Sequence, residues 1–168
     1  MAGARLAETD REAAGNMVKR YMWNLNEESG GCAWGAPEAM AEMLANHEGL
    51  CNEYGHLMVS FITPEGLYLD YPLLQRGVVW GIGRMSERGR PISPDPVPQL
   101  EPLLDSPDEV LRALSARAVS LLGAKGLAEK LMNAEAGDTP VVFMESYDIV
   151  SVAARELVEK AGRTLEAV

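Results

Sequence analysis

The amino-acid sequence predicts an all-α fold built from stacked helical hairpins, with at most a short strand near residues 140–144. Apolar residues recur at helical spacing along most of the 168 residues, which is typical of helices that bury one face. Glycine and proline interrupt these patterns at short intervals, as expected between the helices of such an array. The segment 140–144 alone has strand character, and a strand without a partner cannot form a sheet.

Length and composition are those of one globular domain that needs no disulfide or metal support. Hydrophobic residues make up 47% of the chain and charged residues 24%, which excludes a wholly disordered chain. The two cysteines, Cys32 and Cys51, are too few for a disulfide framework. The N-terminus lacks the apolar stretch of a signal peptide, and no segment is apolar enough to span a membrane. We therefore expect a cytoplasmic protein with free thiols.

The charge balance limits the classes of partner that the chain can bind. The formal net charge is −10 at pH 7. Phosphate contacts require clustered lysine and arginine, so this balance argues against nucleic acid as a partner. The same excess of acid argues against docking to an anionic membrane surface. A DNA-binding module of the same fold would need a concentrated basic patch.

The first half of the chain predicts four helices, over residues 8–26, 37–44, 48–61 and 72–86. Thr9 or Asp10 can cap the first helix, because a short polar side chain satisfies free N–H groups at a helix start. The fourth helix contains Gly77, Gly81 and Gly83, each of which costs up to about 1 kcal/mol relative to alanine. Three such glycines predict that a neighbouring helix packs very close to this one.

The second half of the chain predicts a proline-rich connector followed by shorter elements. In order, these are the connector over 87–98, helices over 97–104, 107–122 and 124–133, a linker over 134–139, the strand, and a closing helix over 149–161. Ser106 followed by Pro107 is a typical helix start, with serine as the N-cap and proline in the first turn.

Three of the predicted helices share a pattern that indicates a degenerate repeat. Each carries a basic residue early, followed by small or apolar residues in helical register, and a shorter apolar helix comes next. The three patterns are Val18–Trp23, Gln75–Trp80 and Leu111–Ala116. Arg76 and Arg112 lie 36 positions apart, which is close to the repeat length of helical solenoids.

These helices carry a resemblance to a known class of repeat protein. The segment Ser106–Gly123 resembles the first helix of a HEAT-type repeat, and more narrowly the HEAT-like repeats of phycobilisome lyases. Leu74–Arg84 and Met17–Leu25 resemble weaker copies of that helix. The run Trp23–Met40, together with Arg76–Arg84, is similar to a bacterial group of HEAT-like proteins without an established activity.

The resemblance covers most of residues 8–133 and implies a right-handed α-α superhelix, a solenoid of the HEAT or armadillo type. The chain 1–168 would then be a single α-solenoid domain. Over 134–168, a linker, a short extended segment and a C-terminal helix would follow the helical pairs. The resemblance also implies a role in protein binding, but it specifies no reaction.

The most unusual segment lies between the first two predicted helices, over residues 24–38. About ten residues separate these helices, where a plain repeat needs only a few. Polar side chains, an aromatic ring and a Gly-Gly pair occur together there, and this combination can bind a small polar ligand or a peptide terminus. The predicted site residues are Asn24, Asn26, Glu28, Ser29, Gly30, Gly31, Trp34 and Glu38, together with Arg76 and Trp80. The alternative is an elaborate turn, in which the asparagines act as caps and Trp34 closes the end of the array.

Recurring arginines and tryptophans near the repeat helices are further candidates for a binding surface. They are Arg20, Arg76, Arg84 and Arg112, with Trp23 and Trp80 close by. Arginine and tryptophan are enriched among the residues that dominate the binding energy of interfaces. The alternative is that each arginine pairs with an acidic residue of a neighbouring repeat.

No motif in the sequence predicts a metal site, a cofactor or a catalytic centre. His47 and Cys51 share a helix face, but His56 points away from them, and the spacing matches no zinc pattern. Ser29 lacks the strand and glycine context of a nucleophile elbow. A pair such as Cys32 and His56 arises by chance in many chains. Structural roles are therefore expected for these side chains.

The sequence thus favours a non-enzymatic scaffold or adaptor that binds a protein or peptide. The alternative is a small-ligand-binding or lyase-like protein with its site in the 24–38 segment. A hydrophobic pocket lined by Trp23, Trp34 and Trp80 would favour the alternative, and a shallow groove with a polar rim would favour the scaffold. A monomer or a homodimer is expected, because the strand near 140–144 could pair with a second copy.

Overall fold

The computed structural model describes residues 2–26 and 33–167 of the chain. The chain divides into two compact units, Met1–Pro96 and Val97–Val168. The division falls within the proline-rich connector that the sequence predicts. In the part of the chain that the structure describes, no helix is both long and apolar enough to cross a lipid bilayer.

The described part of the first unit consists of helices and their connections. The helices are α1 (Ala2–Thr9), α2 (Arg11–Leu25), α3 (Ala36–Asn46), α4 (Glu48–Ser60) and α5 (Pro72–Glu87). The helix predicted over 8–26 is therefore divided at Asp10, whose carboxylate accepts a hydrogen bond from the Ala13 N–H at 2.9 Å and caps α2. The other three predicted helices agree with α3, α4 and α5 to within two residues at each end.

The contact between α3 and α5 forms the centre of the first unit's core. A Cβ atom on Gly81 would lie 2.6 Å from the Cβ of Ala41 and 2.7 Å from the Cε of Met58. Both of these neighbours are fully buried. The close approach of a neighbouring helix, which the glycines predict, is therefore confirmed at Gly81.

Arg84 of α5 lies in a buried cluster of charged and polar side chains beside α3. Its Nε donates to Glu42 Oε1 at 2.5 Å, and its Nη1 donates to Glu87 Oε2 at 2.8 Å. The second oxygen of Glu42 accepts a hydrogen bond from Asn46 Nδ2 at 2.9 Å. Since Arg84 is only 5% exposed, it belongs to the helix contact rather than to an open binding surface.

The second unit contains short helices, a β-hairpin and a long last helix. In order, its elements are α6 (Val97–Leu100), a 3-10 turn (Pro102–Asp105), α7 (Glu109–Leu121), a 3-10 turn (Lys125–Leu127), α8 (Ala128–Met132), β1 (Pro140–Glu145), β2 (Asp148–Ala153) and α9 (Ala154–Glu166). Helix α9 packs against α7 and α8 and buries Leu157, Val158 and Ala161. Asp108, rather than the predicted Ser106, caps α7, because its carboxylate accepts two N–H groups of the first turn.

The structure corrects the expectation of at most one strand near 140–144. Strands β1 and β2 pair in antiparallel register, with Phe143 opposite Val150. The turn residues Ser146 and Tyr147 have positive φ angles of 49° and 72°, as a tight two-residue hairpin turn requires. Neither residue is glycine or asparagine, so the usual turn signal is absent from the sequence. The last helix consequently begins five residues later than predicted, at Ala154.

Glu109, in the first turn of α7, fixes the linker that precedes β1. Its carboxylate accepts hydrogen bonds from the backbone N–H of Gly137 and from the hydroxyl of Thr139. Arg112 lies one turn further along α7, at 3.8 Å from the carboxylate. The hydrogen bond from Thr139 is the main reason that the pKa of Glu109 lies below its ordinary value. Among the described residues, the fold is mostly helical with one small sheet.

Candidate functional site

Trp34 and Tyr71 form an exposed aromatic pair at the starts of two helices. Trp34 lies two residues before α3, and Tyr71 directly precedes α5. The ring centroids are 6.0 Å apart and the ring planes are inclined at 73°, which is the favourable edge-to-face arrangement. Trp34 is 60% exposed and Tyr71 is 49% exposed. The pair therefore presents apolar surface to solvent in the first unit.

The local sequence keeps Trp34 outside α3. Gly35 is the N-cap of α3 and has a φ angle of 76°, which residues other than glycine rarely adopt. Pro37 follows in the first turn, where its missing N–H costs no helix hydrogen bond. The helix thus begins sharply after the tryptophan, and the indole ring projects beside the helix start.

Glu38 lies in the first turn of α3, with its carboxyl group against the backbone of Gly77 in α5. A Cβ atom on Gly77 would lie 2.5 Å from Glu38 Oε1, so the glycine leaves the space that the carboxyl group occupies. Glu38 Oε2 is buried and has no hydrogen-bond partner among the described residues. Burial raises the pKa of Glu38, and a hydrogen bond from its own backbone N–H opposes this effect. A carboxyl group with a raised pKa can donate a proton to a bound molecule or accept one from it.

Arg76 and Trp80 lie one turn apart on α5. Arg76 is half-buried and directly precedes Gly77. Trp80 is only 4% exposed, so its ring belongs to the core of the unit. Trp23, by contrast, is 72% exposed on α2. Trp80 is therefore buried, whereas Trp23 and Trp34 are exposed, so the three tryptophans of the possible hydrophobic pocket lie in different environments.

The polar residues predicted at the end of α2 have different surroundings. Asn24 is exposed on the last turn of the helix. Asn26 ends the helix, because its backbone N–H and its Nδ2 both donate to the carbonyl oxygen of Met22. Asn26 thus acts as the C-cap of α2, which is the role expected of it if this segment is an elaborate turn. The other predicted residues of this segment lie outside the described residues, namely Glu28, Ser29, Gly30 and Gly31.

The recurring arginines do not share one role. Arg84 is buried in the ion-pair cluster, and Arg112 Nη1 donates to the carbonyl oxygen of Ser106 at 2.7 Å. Arg20 is exposed on α2. The ion-pair alternative therefore fits Arg84, whereas Arg20 makes no ion pair with the acidic side chains of the described residues.

Within the described residues, no three side chains of histidine, cysteine, aspartate or glutamate are grouped so that they could hold a metal ion. His47 Nδ1 accepts a hydrogen bond from the Leu50 N–H at 3.1 Å and caps α4. Cys51 is buried, and its thiol lies 3.5 Å from the carbonyl oxygen of Pro91. Burial raises the pKa of this thiol. Both side chains have structural roles, and Cys32 lies outside the described residues.

The sequence reasoning missed Tyr71 and saw only part of the role of Gly77. Tyr71 directly precedes Pro72 at a helix start, and this aromatic residue beside a helix-start signal is the one local indication of it. Its contact with Trp34 depends on the packing of α3 and α5. Gly77 was predicted as a close-packing residue, but only the packed structure reveals the Glu38 carboxyl group beside it.

Fold and site together define a mostly helical protein with an exposed aromatic pair and, in the first turn of α3, a part-buried carboxyl group. The chain is similar to an uncharacterized protein of Archaeoglobus fulgidus, with 29% identity over 139 residues. The similarity covers 83% of this chain and 68% of the archaeal protein. No family model matches the sequence, and no solved structure matches it. The comparisons assign no ligand, partner or reaction to the site.

Proposed function

We propose that this chain is a HEAT-like helical scaffold of the cytoplasm that binds a protein or peptide partner through the surface around Trp34. The observation that carries the proposal is the exposed contact between Trp34 and Tyr71. Tryptophan and tyrosine are enriched among the residues that dominate interface energies. The two rings hold each other in place, so little side-chain entropy would be lost when a partner binds to them.

In the proposed interface, two charged residues that follow the aromatic residues along the chain form part of the rim. Glu38 lies in the first turn of α3, just beyond Trp34, and Arg76 lies one turn into α5, just beyond Tyr71. Stable interfaces combine an aromatic centre with a charged and polar border. An apolar side chain of the partner would contact the rings, and polar groups on either side of it would meet these two charged residues.

The HEAT-like part of the proposal rests on the sequence resemblance and on helix packing in the first unit. Helix α3 contacts α2, α4 and α5, as expected where helices stack on their neighbours. The proposed solenoid is a monomer or a homodimer. An experimental structure of the whole chain tests this part. Successive helical pairs related by a right-handed rotation would support it, and helices without such a relation would contradict it.

Affinity capture from the native cell tests the binding surface. We expect a protein captured by the wild type to be lost by the double variant Trp34→Ala, Tyr71→Ala. Tyr68→Ala is the matched control, because Tyr68 is also an exposed aromatic residue of the first unit, at 44%. Circular dichroism before capture establishes that each variant is folded, which is expected since both altered rings are exposed.

Two outcomes of this capture experiment would contradict the proposed surface. The first is that the folded double variant retains the captured protein as well as the wild type does. The second is that the Tyr68→Ala control loses the protein to the same extent, because binding would then not depend on the aromatic pair.

A second candidate function is the binding of a small ligand or a lyase-like reaction at Glu38. The observation that favours it is the buried Oε2 atom without a hydrogen-bond partner among the described residues. Buried polar atoms in native proteins are normally satisfied, so a ligand donor at this position would remove a cost. Native mass spectrometry of protein from the native cell tests it. A retained mass in the wild type that is absent from Glu38→Gln would support this candidate, and no retained mass would count against it.

A further inference from the structure

The exposed face of α2 carries a second group of side chains suited to binding. This group, the α2 stripe, lines an open depression and consists of Asn16, Lys19, Arg20, Trp23 and Asn24. At about 100° per residue, these positions fall within an arc of about 140° on the helix. Ala14, Val18 and Leu25 lie on the opposite face and are buried. The stripe is therefore the outer surface of a helix whose other face is packed.

The α2 stripe is positively charged in a chain of net charge −10. Lys19 and Arg20 contribute two positive charges, and Glu12, one turn before Asn16, is the acidic residue of α2 on the same face. Glu53 of α4 is an acidic neighbour of Lys19. Its carboxylate accepts a hydrogen bond from Arg11 Nη2 at 2.9 Å. Arg20 makes no ion pair with the acidic side chains of residues 2–26 and 33–167. The described part of the chain therefore provides no carboxylate partner for this guanidinium group.

Trp23 places a large apolar surface within the same stripe. The ring is 72% exposed, more than that of Trp34. Trp23 lies one helical turn beyond Lys19 and Arg20, so the ring and the two cations project from the same face. Tryptophan and arginine are the residue types that contribute most to interface hot spots. An aromatic ring with two cations one turn away fits a segment that alternates apolar and acidic side chains.

We propose that the α2 stripe binds an acidic segment of a protein partner, with Trp23 against an apolar side chain and the two cations against carboxylates. The inference rests on the proposed partner binding and specifies the chemistry of the partner. Charge complementarity carries it, because acidic side chains more than about 8 Å away are largely screened at physiological salt, and the nearby Glu53 is paired with Arg11. Nucleic acid is the weaker fit, since two cations release few counterions from a phosphate backbone.

Fluorescence anisotropy with a designed peptide pair tests the inference on the full chain. The first probe is a labelled amphipathic peptide of glutamate and leucine, and the second carries glutamine in place of every glutamate. We expect the acidic peptide to bind about tenfold more tightly than its neutral counterpart, and added salt to reduce the difference. Trp23→Ala and Arg20→Gln should each weaken binding of the acidic peptide by about fivefold to tenfold.

Arg5→Gln is the matched control, because Arg5 is an exposed arginine of the same unit on a different helix. Equal affinity for both peptides, or unchanged binding by the stripe variants, would overturn the inference. Tighter binding of oligothymidylate, weakened by the same variants, would also overturn it by indicating a nucleic-acid partner. A folded Trp34→Ala, Tyr71→Ala variant separates the two proposals. If that variant loses the native partner while the stripe variants keep both the partner and the peptide, only the stripe inference fails.

Discussion

Glu38 and Glu109 have similar local positions, but their pKa values are shifted in opposite directions. Each lies in the first turn of a helix and follows a proline closely, Pro37 in one case and Pro107 in the other. The positive end of the helix dipole favours the charged form at both places. Nevertheless burial raises the pKa of Glu38, whereas chiefly the Thr139 hydrogen bond lowers the pKa of Glu109. The difference comes from what the fold places against each carboxyl group.

This comparison separates two carboxylates that are paired within the fold from one whose buried oxygen has no partner among the described residues. Glu109 has two hydrogen-bond donors and a cation, all of which fix the linker before β1. Glu42, one turn beyond Glu38 on α3, is buried but paired with Arg84. Glu38 faces the backbone of Gly77, and its Oε2 has no partner among the described residues. Glu38 is therefore the glutamate of these three that a bound molecule would stabilise.

The largest expected effect comes from removing the partner of a buried carboxylate. Arg84→Met would leave Glu42 and Glu87 without their cation, and the free energy of unfolding should fall by about 3–5 kcal/mol. Urea unfolding measures the change. Lys130→Met is the matched control, since Lys130 pairs with Asp105 at 2.7 Å in an exposed position, and it should cost less than about 1 kcal/mol. Equal losses in the two variants would show that burial does not set the strength of these pairs.

Gly77 and Gly81, two of the three glycines of α5, should respond differently to an added methyl group. Gly81→Ala should lower the free energy of unfolding by about 1–2 kcal/mol, because the new Cβ meets the Cβ of Ala41 and overpacking exceeds the gain in helix propensity. Gly77→Ala should be neutral or stabilising by up to about 1 kcal/mol, because the flexible Glu38 carboxyl group can move outward. Urea unfolding of both variants gives the comparison.

The Gly77→Ala variant also tests the origin of the raised pKa. Displacement of the carboxyl group toward water should return the pKa of Glu38 toward its ordinary value. An NMR titration of the glutamate side-chain carbons measures this pKa directly. An unchanged pKa in a folded Gly77→Ala protein would mean that burial against Gly77 is not its cause.

Glu109→Gln should change the acid side of the stability profile. A lowered pKa means that the folded state favours the carboxylate, so Glu109 stabilises the fold above its ordinary pKa and this contribution is lost as the pH falls below it. The variant should be less stable than the wild type at neutral pH and should approach it in acid. Urea unfolding across a pH series checks this, and a stability difference that does not change with pH would contradict it.

Glu38→Gln should have the smallest effect and the opposite sign. A raised pKa means that the folded state disfavours the carboxylate, so the charged side chain destabilises the fold above that raised pKa. The variant should gain a fraction of a kcal/mol at neutral pH, since the side chain is only part-buried and water screens it. The gain should vanish below the ordinary pKa of glutamate. A loss of stability at neutral pH would indicate that the charged form has a stabilising partner.

The sequence predicted most of the helices of the first unit, because their signals are local. The apolar spacing of α4 and α5 and the proline at the start of α3 act over a few residues, and the structure agrees closely with them. The β-hairpin was missed, since Ser146 and Tyr147 adopt positive φ angles without the usual glycine or asparagine. Asp10 was named as a possible cap, but the helix α1 before it was not predicted.

For the candidate site, the sequence by itself determined the residue types, the net charge of −10 and the unusual length of the segment between α2 and α3. The tertiary structure alone decided that Trp34 meets Tyr71, that Trp80 is buried and that Glu38 lies against Gly77. The physical reason is the separation along the chain between the residues that interact. Helix periodicity and caps arise from neighbours within a few residues, whereas ring contacts and the burial of a carboxyl group arise between elements that packing brings together.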